Sequence, residues 1–304
     1  REAMSIAINR DELNEIAYFG QGIPGQIAPF NPAPTFVDPK WEGYKAEFDP
    51  DTAKAMLDEI GMVDTDGDGF RELPNGDKVT LNMQFSTQGI AGRVVELVGQ
   101  NWADVGVQTQ VKEVTPDEYR SAQSSNKLDV GLWQYGAPLA IHLGLNSFFR
   151  PPFGTYFEHR TGMLWGEWLD TNGASGVEPP EFAKKLAADI DAFQSATPGS
   201  EESNALGAGL VENFVSNMVM IGTVKAPEPI YASNNLKNFT EFKTWYYENY
   251  PTYPYSSTQW WLDQKVFLNL KRAAICCPRY LTRRPPFEAQ PGTTGGIGEQ
   301  QGHC

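Results

Sequence analysis

Apolar and polar positions alternate most cleanly between Val79 and Tyr135. Val79-Thr-Leu-Asn-Met-Gln-Phe85 alternates and gives way to Ser86-Thr-Gln-Gly89, which predicts a strand running into a loop. From Ala91 to Asp104 the period changes. Val94, Val95, Leu97, Val98 and Trp102 fall at helical spacing, and Gly106 stands where a helix end favours a left-handed residue. Val107 to Val114 alternates again. Thr115-Pro-Asp-Glu118 then opens a second helix, with Thr115 as N-cap, Pro116 in the first turn and Glu118 closing a capping box. Leu128-Asp-Val-Gly-Leu-Trp133 is a third strand. A strand–helix–strand–helix–strand rhythm predicts a parallel sheet covered by helices, with ligands meeting the loops at the carboxyl ends of the strands. Those loops are Ser86 to Ile90 and Gln134 to Ala140.

Outside this stretch the signals are more local. Ser5 to Tyr18 predicts two short helices meeting near Asn9, with Asp11 capping the second. Asp49-Pro50 opens a helix with an apolar face of Ala53, Met56, Leu57 and Ile60, ended by Gly61. After Trp133 the chain reads as loop-rich and aromatic through Gly176. Helices follow at Pro179–Ala196 and Ser200–Asn217, then a buried strand at Met218–Val224. Thr244 to Tyr255 reads as extended.

Composition changes the picture in one place. The 304 residues are 40% hydrophobic and carry a formal charge of −14, but residues 265–304 hold six Lys or Arg against two acids. The body, 1–264, therefore has 18 basic and 36 acidic residues, which argues against nucleic acid or an anionic membrane as partner. All three cysteines lie in that last stretch and all eight tryptophans lie before it. The basic, Pro- and Gly-rich tail has little with which to bury a core, so a disordered or non-native extension is expected there. No apolar run approaches the ~20 residues of a membrane span. Arg1 to Ile8 already reads as the inside of a helix, so further sequence upstream is expected.

Candidate chemistry is sparse. Gly20-Gln-Gly-Ile-Pro-Gly25 matches a dinucleotide fingerprint in form, but it follows a helix and runs into prolines, so a turn is expected. Asp64, Asp66 and Asp68 with Gly69 match the first half of a calcium loop. The twelfth position is Asn75 instead of a bidentate Glu, and a strand follows, so an acidic surface turn is expected and no metal is assigned. The body has no cysteine nucleophile, and the sequence has no G-x-S-x-G, H-E-x-x-H or P-loop. His159 beside Glu158, and Glu158 with Glu167, are weak acid–base hints that nothing in the sequence fixes in space. Cys276-Cys277 and His303-Cys304 lack the paired spacing of a zinc site.

Several stretches, in order, resemble the later part of a family 5 solute-binding protein of ABC transporters, the peptide, nickel and oligosaccharide group. They are Ala3 to Asn14, Asp49 to Leu57 with Asp66-Gly-Asp-Gly-Phe70, Arg93 to Val111, Asp129 to Tyr135, and Tyr253-Pro-Tyr255 with Trp260-Trp261. The resemblance implies an α/β, periplasmic-binding-protein-like lobe with a mixed or parallel sheet flanked by helices, the other lobe lying largely upstream. Residues 1–223 would form this second lobe, 224–264 the segment returning to the first, and 265–304 a tail outside the family. The implied protein is a monomeric receptor, periplasmic or extracellular and in some cases lipid-anchored. It would close over a hinge on a peptide or similar oligomeric solute and deliver it to a membrane permease, with no catalysis and no cofactor.

The resemblance also guides the site. Dipeptide binders of this family grip the ligand's amino group with an Asp in the loop after the strand matching Leu128–Trp133. Here that loop, Gln134 to Ala140, has no acid, so longer peptides or an oligosaccharide are expected instead. Trp133, Gln134, Tyr135 and Trp165 are the expected ligand contacts, with packing in the core as the alternative for the two tryptophans. Arg150 is the candidate for an anionic group, with a surface salt bridge as its alternative. The rival from another class is a secreted carbohydrate-active enzyme using an acidic pair.

Overall fold

Three parallel strands organise the structure: β2 (Thr80–Phe85) lies between β3 (Gln108–Glu113) and β4 (Val130–Leu132). Met83 stands opposite Val111 and Val130, and Phe85 opposite Glu113 and Leu132. The computed structural model describes residues 1–27, 33–134, 146–154, 160–226, 232–239 and 258–263. These fall into two units, the first within 1–226 and a small second from 232–239 and 258–263.

Alternation along β2 decides what covers each face of the sheet. Met83 and Phe85 are buried in one cluster with Val94, Val95, Val98 and Trp102 of α4 (Gly92–Asp104). On the opposite face Tyr119 of α5 (Pro116–Ser124) lies so close over Gly131 that a Cβ there would sit 2.5 Å from its hydroxyl. From β2 the chain crosses one way to β3, then back past β2 to β4. Right-handed crossovers in opposite directions put α4 and α5 on opposite faces.

The first core continues into the N-terminal helices. Ile6 of α1 (Glu2–Ile6), Leu13 of α2 (Arg10–Tyr18), and Ala53 and Leu57 of α3 (Pro50–Glu59) share it. The indole of Trp102 donates to the Met4 carbonyl at 2.9 Å. Strand β1 (Ile23–Pro24) pairs antiparallel with β5 (Val224–Lys225). Arg10, only 2% exposed, ties these pieces together. Its guanidinium donates to the carbonyls of Ser5, Ala46 and Gly222 and to the Ser5 hydroxyl.

A second core in the same unit is aromatic. Leu186 and Ile190 of α8 (Glu181–Ser195) and Leu210 and Phe214 of α9 (Glu201–Ser216) enclose it with Trp41 of the 3₁₀ helix Pro39–Gly43. Phe149 of α6 (Asn146–Phe149) also belongs to it, and α7 (Met163–Asp170) adds Trp165, whose ring stands edge-on to Phe182 at 6.0 Å. In the small unit β6 (Leu236–Lys237) pairs antiparallel with β7 (Trp261–Leu262). No helix among the described residues is long and apolar enough to cross a membrane.

Four local expectations change. Asn9, not Asp11, caps α2, its side chain accepting from the Glu12 N–H at 3.1 Å. Met218–Val224 is not a strand, and only Val224–Lys225 pairs. The hydrogen bonds of Gly222 go to side chains instead of a ladder, its N–H to Gln26 and its carbonyl to Arg10. The aromatic stretch after Trp133 contains the helices α6 and α7. Ile60 is 60% exposed instead of facing the core. The Gly20–Gly25 motif is a turn into β1: Gly20 is left-handed, and the Asn14 side chain brackets both backbone groups of Gly22. Thr244–Tyr255 and the tail 265–304 lie outside the described residues.

The cap of α3 supports a pH prediction. Asp49 accepts from the hydroxyl and backbone N–H of Thr52 at 2.6 and 2.9 Å, and these bonds hold its carboxyl below the usual carboxylate range. A depressed pKa contributes stability that is present above the unfolded value and lost as pH falls through the folded one. Asp49→Ala is therefore expected to lower the urea midpoint at neutral pH, with the gap from the parent narrowing in acid. A gap independent of pH would contradict this role.

Candidate functional site

The carboxyl ends of the three parallel strands are stitched into one surface. The loop after β2 folds on Ser86, whose carbonyl accepts from Gly89 at 2.8 Å and Ile90 at 3.0 Å. The Gln134 N–H, just past β4, donates to the Gly89 carbonyl at 2.8 Å, and the Val114 N–H, just past β3, donates to the Phe85 carbonyl at 2.9 Å. The Thr87 hydroxyl donates to Glu113 at 3.0 Å. The ends of β2 and β3 frame a concave space of about 500 Å³ lined by Ser86, Thr87, Gln88, Glu113, Thr115 and Glu118, among others. Open α/β sheets bind ligands outside the carboxyl ends of their strands.

Next to this space, on the β4 side, the surface is set by close packing. Gly89 lies against the Trp133 ring so closely that a Cβ would sit 2.2 Å from it, so a side chain there would displace the indole. Tyr119 also lies against the ring, at 5.1 Å between centroids and tilted 42°. At the far rim the capping box of α5 is complete, with Glu118 accepting from the Thr115 N–H and hydroxyl at 3.0 Å. Those bonds hold the Glu118 carboxyl below its ordinary range.

Of the residues singled out from the sequence, Trp133 and Gln134 stand at this surface. Tyr135 lies outside the described residues, as do His142, Glu158 and His159. Trp165 packs on the second, aromatic core. Arg150 pairs with Asp170 at 3.4 Å and Asp191 at 3.9 Å. Glu113, Thr115 and Glu118 were missing from the sequence-based selection as lining residues. Strand alternation and capping were visible for all three, but nothing local says that β3 is β2's neighbour.

Among the described residues, the group able to offer a cation several ligands is Asp64, Asp66, Asp68 and Glu72, whose ligand atoms lie within 4.8 Å of one another. Lys78 already pairs with Asp66 and Asp68, which raises the lysine's pKa. Asp64 accepts from the N–H groups of Gly67 and Gly69, and buried Glu72 from the N–H and hydroxyl of Thr65. A metal would have to displace Lys78 from this loop.

A parallel sheet helix-covered on both faces, with a polar depression at the carboxyl ends of its strands, defines a lobe of the periplasmic-binding-protein type. Residues 1–149 match the model of the bacterial extracellular solute-binding proteins, family 5, and the chain belongs to that family. The chain is 28% identical over 124 residues to the dipeptide-binding protein of Escherichia coli (strain K12), a match covering 39% of this chain and 20% of that protein. The solved structure of an oligopeptide-binding protein, OppA, superposes with a TM-score of 0.69 at 26% identity, covering 87% of this chain and 43% of that one. The fold is shared with MelB of Agrobacterium fabrum in complex with stachyose, at TM-score 0.58 and 21% identity, covering 75% of this chain and 33% of that one. The chain thus spans less than half the length of each.

Proposed function

We propose that this chain belongs to the receptor of an ABC importer that captures a peptide at the carboxyl ends of β2, β3 and β4 and passes it to a membrane permease. The observation that carries the proposal is the depression framed by Ser86–Gln88, Glu113 and Thr115, beside Trp133 and Gln134. Its lining is rich in hydrogen-bonding groups, which suits a ligand read largely through its backbone. The OppA and dipeptide-binding relatives favour a peptide over the sugar that the MelB likeness brings in. Capture would proceed by lobe closure over a hinge, in a monomer outside the cytoplasm, free or lipid-anchored, with no chemical change to the ligand.

The test is a thermal-shift screen of the full-length gene product against di- and oligopeptides, cello- and manno-oligosaccharides, and nickel. A ligand at 100 times its dissociation constant adds about 2.7 kcal/mol, enough to move the melting midpoint measurably. Trp133→Ala is expected to weaken the peptide-induced shift by releasing the Gly89 loop. A shift with oligosaccharides alone would replace the peptide reading, and consumption of the ligand would replace the receptor reading.

A further inference from the structure

The depression at the strand ends has a definite sign. Glu113 and Glu118 line it, and among the described residues no Lys, Arg or His does. Glu118 is committed to the capping box and feels Lys112 nearby. Glu113 is exposed, accepts only from the Thr87 hydroxyl, and has no cationic partner among the described residues. The amino end of α5 lies at the same rim and would by itself favour an anion. Pro116 has no N–H, the Glu118 N–H is taken by the Thr115 hydroxyl, and the Glu118 carboxylate stands over the first turn. The Thr115 and Glu118 donors are thus already used, and the carboxylates set the sign.

A second, uncharged feature also calls for a ligand group. Ser86 is 2% exposed yet lines the depression. Its hydroxyl accepts from the Gln88 N–H at 3.3 Å, and the hydroxyl hydrogen has no acceptor among the described residues. A buried donor left unmade is costly, so an incoming acceptor such as a carbonyl would be stabilised there.

We infer that this depression takes a cationic group of the ligand, an ammonium or guanidinium, with Glu113 as its acceptor and Ser86 donating to a neighbouring carbonyl. This rests on the peptide-receptor reading above and adds the ligand's charge to it. The acid that the loop after β4 lacks would here be supplied from the end of β3.

The test is calorimetric titration of the full-length gene product with four probes: trialanine, its N-acetylated form, N-acetyl-Ala-Lys-Ala and N-acetyl-Ala-Glu-Ala. The parent is expected to bind a cationic probe about tenfold more tightly than acetylated trialanine. Which cationic probe wins, the free amine or the lysine, identifies the source of the charge. Raising the salt should shrink the ratio. Glu113→Gln should bring it within about twofold, and Glu113→Asp should keep most of it, which separates lost charge from lost fold. A ratio preserved in Glu113→Gln, or a parent that prefers the glutamyl probe, would overturn this inference and leave the peptide receptor standing. A parent that binds none of the peptides would overturn both.

Discussion

Replacing Arg10 with Met is expected to destabilise the first unit by about 3–5 kcal/mol. The side chain is buried and has no carboxylate among its bonded partners. Its donors fan onto the carbonyls of Ser5, Ala46 and Gly222 and onto the Ser5 hydroxyl, at 2.8–3.1 Å. Desolvation pushes the guanidinium down to about 10, with Glu47 opposing, which still leaves it charged at neutral pH. Met fills similar space and removes the cost of burying a cation, but it takes their Arg10 donor from the part-buried Ala46 and Gly222 carbonyls, while the Ser5 carbonyl keeps the Ile8 N–H. Each orphaned group costs roughly 1–3 kcal/mol, which outweighs the gain. Arg10→Lys should fall between, because one ammonium cannot serve the whole fan. Urea unfolding checks this, and a Met variant within 1 kcal/mol of the parent would show that the carbonyls find other donors.

The second large effect is expected at Phe214. Its ring stacks on Phe148 at 5.1 Å and meets Phe149 and Phe153 edge-on at 5.5 and 5.9 Å, and it is 2% exposed. Phe214→Ala should cost about 3–5 kcal/mol through lost burial and a cavity that three rings cannot collapse to fill. Phe214→Leu keeps most of the volume and should cost about 1–2 kcal/mol. Comparing the two by denaturant unfolding separates packing from ring geometry. An Ala variant no worse than Leu would mean that the site collapses freely.

What could be read from the chain alone was whatever is local. The cap at Asp49, the capping box at Thr115–Glu118 and the alternation of β2 each lie within a few residues, and all are present. What escaped depends on partners far away. Arg10 looked like an ordinary polar residue near a helix start, because its acceptors include Ala46 and Gly222. Met218–Val224 looked like a strand because it is apolar, whereas Gly222 within it is bonded by Arg10 and Gln26 and only Val224 enters a ladder. The helices α6 and α7 were hidden by aromatic residues that propensity assigns weakly. The faces taken by α4 and α5 follow from handedness once the order β3-β2-β4 is known, but alternation alone does not select the neighbours. For that reason Ser86–Ile90 could be named as a binding loop while Glu113 could not.

The contact between Arg10 and Gly222 joins residues 212 positions apart. It lies beside the pairing of Ile23 with Lys225. During synthesis the N-terminal helices therefore leave the ribosome well before the segment that completes them. At about 5–20 residues per second, the intervening chain takes roughly 10–40 s to make. Over that interval Arg10 has neither the Gly222 carbonyl nor a strand to hold β1 in register, and the first core is open on one side. Nascent chains stalled before residue 222 should remain protease-sensitive around α1 and α2, and those stalled past Lys225, with the exit tunnel cleared, should become resistant. A bond that looks like a static clasp in the finished molecule thus acts as a timer, setting the earliest moment at which this unit can hide its apolar surface from chaperones and proteases.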